Sequence, residues 1–87
     1  MSQVTAELIE AALRAALGDI AALDVVNESH LHAGHAGAAE GSHWRVRIAC
    51  QRMTGLSPLA RHRLVYDALQ SVIPQGIHAL AIEAKGV

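Results

Sequence analysis

The chain has 87 residues, 52% of them hydrophobic and 17% charged, with seven basic and eight acidic side chains, six histidines and a single cysteine. This composition excludes a disordered polymer, and the length suits one domain around one modest core. One cysteine excludes a disulfide framework and any all-cysteine zinc or iron–sulfur site within a single chain, and a net charge of −1 offers no global field to attract nucleic acid.

The N-terminal Met1-Ser2-Gln3-Val4 lacks the basic and apolar regions of a secretory signal. No apolar run approaches the roughly 18 residues of a membrane span. The expected location is therefore cytoplasmic, or another reducing compartment. Ser2 can cap a first helix running to Leu17, because Val4, Leu8, Ile9, Ala12, Ala16 and Leu17 recur at three- and four-residue intervals and Gly18 is a natural stop. A short strand follows over Leu23–Glu28, with Leu23 and Val25 on one face. Residues 29–41, rich in Gly and Ala and without either period, read as a loop that is long for so small a domain, hence a candidate functional loop.

His43 to Cys50 is the clearest strand. Trp44, Val46 and Ile48 alternate with Arg45 and Arg47, an antiparallel pattern with one buried and one wet face. Ser57-Pro58 supplies an N-cap and an N1 proline for a second helix over Pro58–Val72, striped by Leu64, Val65, Ala68, Leu69 and Val72. Pro74 and Gly76 end it, and Ile77 to Ala84 forms a last strand. The order α-β-β-α-β predicts an α+β fold with both helices on one face of a three-stranded sheet.

Histidine is the anomalous component. His30, His32 and His35 crowd into six residues of the loop, among small neighbours that let imidazoles converge. Imidazole suits zinc, copper, iron and nickel, and the competing reading is a solvated polar loop. His78 opens the last strand, where it reads either as a partly buried histidine donating to a backbone carbonyl or as a ligand. His62, between Arg61 and Arg63, lies on a solvated helix face or in an anion or partner-docking patch. His43 points away from Trp44 and is expected to be exposed. Cys50 reads as a small buried hydrophobe. Ser29 and Ser42 have histidine neighbours but no strained elbow or orienting carboxylate, so no enzyme is expected.

Gly55-Leu56-Ser57-Pro58-Leu59-Ala60-Arg61-His62-Arg63-Leu64-Val65-Tyr66, followed by Ile77-His78-Ala79-Leu80-Ala81-Ile82, resembles the BolA family. The family pattern is a glycine, then Arg-His-Arg-x-Val-Tyr, then Val-His-Ala-Leu. Val26-Asn27-Glu28-Ser29 and Glu40-Gly41-Ser42-His43-Trp44 are similar to its first two strands. Met53 and Trp44 stand where the family usually has Phe, and the Gly-x-x-Gly clamp of true KH domains is absent.

The resemblance implies a class II KH-like arrangement. It further implies pairing with a monothiol glutaredoxin around a shared 2Fe-2S cluster, in iron–sulfur trafficking or iron regulation. In that arrangement the glutaredoxin and glutathione bring thiolates and the BolA-like chain brings imidazoles. By the matched motif His78 is one ligand. Counting from Asn27-Glu28-Ser29 the other falls on His32, with His35 a close rival. Arg61, His62 and Arg63 are the expected contacts to a partner or to nucleic acid, and a homodimer is the option when no partner is present. The alternative is a DNA-binding transcriptional regulator, with Arg45, Arg47, Arg61 and Arg63 as a local basic patch. A zinc or copper site in the loop, independent of any glutaredoxin, is a third reading.

Overall fold

The computed structural model describes residues 4–28 and 43–87. Helix α1 spans Ala6–Leu17, strand β1 Ile20–Asn27, strand β2 His43–Cys50, helix α2 Pro58–Ala68 and strand β3 Ala79–Lys85. This is the predicted α-β-β-α-β order, an α+β fold. The expected Ser2 cap lies outside the described residues. Thr5 caps α1 instead, its Oγ1 accepting from the Leu8 N–H at 3.1 Å. Val4 and Ile9, at the two positions of a hydrophobic staple, are both buried in the core. Gly18, with φ at +73°, ends the helix as expected.

β1 is longer than its sequence pattern suggested, because Ile20 to Ala22 continue the pairing past an irregularity. The wholly antiparallel setting expected for β2 is corrected. β2 pairs antiparallel with β1 and parallel with β3, and it lies between them. Parallel neighbours require a crossover, and α2 supplies it.

α2 starts as predicted, with Ser57 Oγ accepting from the Ala60 N–H at 3.1 Å and Pro58 in the first turn. It ends at Ala68, four residues before the predicted Val72. Leu69 and Val72 continue as tight turns into a 3-10 segment over Ile73–Gln75, and Gly76 follows at φ +149°. The predicted stripe still serves the core, with Val65, Leu69 and Val72 buried and Leu64 and Ala68 half-buried.

One face of the sheet carries the core. Trp44, Val46 and Ile48 sit between Asn27, Val25 and Leu23 on one side and Leu80, Ile82 and Ala84 on the other. Ile9, Leu13 and Leu17 of α1, Val65 of α2 and Leu69 just past its end close over that face, with Met53 and Cys50 at its far end. The free Cys50 is buried, as expected. The other face, with Asp24, Val26, Glu28, His43, Arg45, Arg47, Ala81 and Glu83 by alternation, has neither helix on it.

Among the described residues, no helix is long and apolar enough to cross a membrane. Leu13 is fully buried and Leu59 is 61% exposed. Leu13→Ala should therefore destabilise the fold by about 2–5 kcal/mol, and Leu59→Ala by no more than about 0.5 kcal/mol. Urea denaturation of the two variants measures the contrast.

Candidate metal and partner site

His78 stands one residue before β3, between two anchored neighbours. Ile77 is buried and its N–H donates to the Ile73 carbonyl at 3.1 Å, while Ala79 is already paired with His43 of β2. The backbone is thus held on both sides, yet the imidazole is exposed. The sequence reading of a partly buried histidine is corrected: the strand begins only at Ala79, and the His78 side chain faces solvent although Ile77 before it is buried.

β1 ends at Asn27, and the Glu28 N–H donates to the His43 carbonyl at 2.8 Å. Glu28 and His43, the described residues on either side of 29–42, therefore sit together at this end of the sheet, with His43 directly beside Ala79. His78 and both roots of the 29–42 segment share one end of the sheet. His30, His32 and His35 fall outside the described residues. His43 is half-buried rather than exposed, and it borders a shallow groove of about 280 Å³ with Glu28, Arg45, Ala79 and Ala81. Among the described residues, no three of His, Cys, Asp and Glu are grouped so as to hold a metal ion.

The uncovered sheet face carries a ladder of ion pairs that the sequence reading missed. Arg45 Nε donates to Glu28 Oε2 at 2.8 Å and Arg45 Nη1 to Glu83 Oε2 at 2.7 Å. Arg47 Nε reaches the same Glu83 oxygen at 3.2 Å, and Arg47 Nη1 lies 3.7 Å from Asp24 Oδ2. These donors hold the Glu83 carboxyl below the usual carboxylate range, the hydrogen bond from Arg45 contributing most. The hydrogen bonds that Arg45 donates, to Glu28 first and Glu83 second, raise its guanidinium above the ordinary value. Alternation alone places Arg45 and Arg47 on this face. Their partners depend on the strand register, which no local signal reveals.

The proposed four-arginine patch is also corrected. Arg45 and Arg47 are matched by carboxylates on the open sheet face. Arg61 is half-buried and spends its guanidinium on two backbone carbonyls, Met53 O at 3.0 Å and Ala84 O at 3.3 Å, tying α2 to the end of β3. Only His62 and Arg63 of that motif are exposed, on the outer side of α2 near exposed Leu59 and Tyr66.

The fold and this site define a small α+β domain that presents histidine at one sheet end. Residues 13–87 match the family model for BolA-like proteins, and the chain belongs to that family. It is similar to BolA-like protein 1 of Mus musculus, 45% identical over 80 residues that cover 88% of this chain and 57% of the mouse protein. It is 45% identical over 60 residues to the DNA-binding transcriptional regulator BolA of Vibrio cholerae, covering 69% of this chain and 55% of that one. The matched regions thus span little more than half of either relative. The solved structure of BolA1 from Arabidopsis thaliana superposes with a TM-score of 0.81 at 31% identity, covering 99% of this chain and 95% of that one.

Because its folded pKa is lowered, ionised Glu83 stabilises the fold above the unfolded glutamate value of about 4.3, and that contribution is lost as pH falls through the lowered folded value. Glu83→Gln should therefore be less stable than the parent at pH 7. The gap should close on acidification below about pH 4 and narrow in 1 M salt. Denaturation curves across that range check it, and a gap unchanged in acid would refute the assignment.

Proposed function

We propose that this chain is a non-catalytic partner of a monothiol glutaredoxin and that it co-ligates a bridging 2Fe-2S cluster, carried as cargo in iron–sulfur trafficking or iron regulation in the cytoplasm. The observation that carries this reading is the placement of exposed His78 at the sheet end where the histidine-bearing segment leaves and returns. An imidazole buried in the core could not meet a metal held partly by another molecule. One held on a fixed backbone at the surface can.

Chain length permits the second ligand. β1 and β3 flank β2 at about 4.8 Å each, so the sheet is roughly 10 Å across at this end. His32 and His35 lie four and seven residues past Glu28. At roughly 3.5 Å per extended residue either can span that distance.

With thiolates brought by the glutaredoxin cysteine and glutathione and imidazoles by His78 and His32 or His35, the ligand set would be Rieske-type, with a potential above that of an all-thiolate cluster. This chain's share is nitrogen, which its composition supplies in excess of sulfur. His62 and Arg63 on α2 are available to the partner, whereas Arg61 acts through the fold.

Co-expression with a monothiol glutaredoxin should give a coloured complex. His78→Ala should abolish its visible circular dichroism while the apo-proteins still associate, and His32→Ala against His35→Ala identifies the loop ligand. A His78→Ala complex with the parent spectrum would overturn the assignment.

The name of the Vibrio relative supports a second reading, a DNA-binding regulator. The matched charges of Arg45 and Arg47 reduce the cations available for it. Duplex DNA binding titrated with salt distinguishes the two. The cluster-partner reading expects a log–log slope near zero, and several phosphate contacts require a steep one.

A further inference from the structure

We propose that Arg45 is a positioning residue for the histidine site, fixing the root of the 29–42 segment against the strand that His78 precedes. The inference rests on the cluster reading above and goes beyond it by naming a residue that touches neither metal nor ligand.

β1 and β3 are both edge strands and meet only through β2. At Glu28 the regular β1–β2 ladder has ended, and a backbone hydrogen bond to the His43 carbonyl holds the main chain there. The Glu28 side chain adds a tie of its own. Its carboxylate is only 19% exposed and takes the Arg45 Nε at 2.8 Å. From the central strand the same guanidinium donates Nη1 to Glu83 on β3 at 2.7 Å. One rigid planar fork on β2 thus links β3 to the residue just past the end of β1. It joins the point where the chain leaves β1 to the strand that begins just after His78. A lysine has the charge but no fixed fork with two directed donors, so it cannot hold both carboxylates in one geometry.

Arg47 is a built-in control. It lies two residues further along the same face, shares Glu83 at 3.2 Å, and meets Asp24 rather than Glu28. Its side chain is 54% exposed against 31% for Arg45. Removing it deletes the same charge and leaves Glu28 tied.

The experiment compares Arg45→Gln, Arg45→Lys and Arg47→Gln in the full chain. Amide hydrogen exchange at Glu28, followed by NMR on the isolated protein, reads the root. The decay of visible circular dichroism in the complex with a monothiol glutaredoxin reads the cluster. Arg45→Gln should speed both by about threefold or more, Arg45→Lys should not restore either, and Arg47→Gln should move neither at a similar melting temperature.

Arg45→Gln behaving as Arg47→Gln does would overturn the proposal. So would faster Glu28 exchange with unchanged cluster loss, since Arg45 would then be structural only. A parent chain that forms no cluster at all removes the underlying reading, and the positioning role falls with it even if Glu28 exchange accelerates.

Discussion

β3 runs parallel to β2, so its first residue pairs with the first residue of β2: Ala79 lies opposite His43. His78 is thereby delivered to the end of the sheet where the 29–42 segment returns. An antiparallel β3 would carry His78 to the opposite end, beside Cys50. The parallel arrangement needs a connection long enough to run back along the sheet. α2 and the turns to Gly76 provide it, packing Val65, Leu69 and Val72 over the core on the way. Arg61 then locks the crossover, its guanidinium spanning Met53 before the helix and Ala84 at the end of β3. The packing that stabilises the domain and the placement of His78 beside Glu28 and His43 are consequences of the same strand direction.

The two faces of the sheet solve different problems. The inner face is apolar and covered, so it tolerates no unpaired polar group. The outer face has no helix on it, and without charge its alanines and Val26 would leave a flat apolar surface. The ladder of Asp24, Arg47, Glu83, Arg45 and Glu28 keeps that face wet while cancelling most of its charge. Solvent screening keeps each exposed pair weak. Their effect is one of register and orientation: alternating partners across three strands favour the observed pairing over a slipped one.

Much of the fold was legible because its signals are local. Ser57-Pro58, Gly18 and the Trp44-x-Val46-x-Ile48 alternation depend only on near neighbours, and each marked its element correctly. The misplacements arose where distant contacts decide. α2 stops at Ala68 because the following turns must bring the chain onto β3, although the apolar stripe runs on to Val72. The mixed character of the sheet was hidden because an alternating central strand looks the same beside a parallel or an antiparallel neighbour. His78 was recognisable from the His-Ala-Leu motif, but its exposure depended on tertiary packing, which buries Ile77 beside it and not the imidazole. The ion-pair ladder depended on a pairing between residues 17 to 38 positions apart, which no window of sequence contains.

The combination at His78 bears on how a shared ligand site can work. A resident metal centre gains from enclosure, which excludes water and fixes every ligand within one chain. A cluster passed between proteins needs the opposite in one of them: a donor whose backbone is already ordered, so that little conformational entropy is lost on docking, and whose side chain still faces solvent. Ile77 in the core and Ala79 in the sheet meet the first condition, and the exposed imidazole meets the second. In the proposed reading the sulfur ligands stay with the partner. Separation of the two proteins then breaks only metal–nitrogen bonds on this side. With one buried cysteine in the chain, Cys50 is too deeply packed to compete for the metal. In that reading, a single buried cysteine beside an exposed His78 favours release of the cargo with its thiolate-bearing carrier rather than retention here.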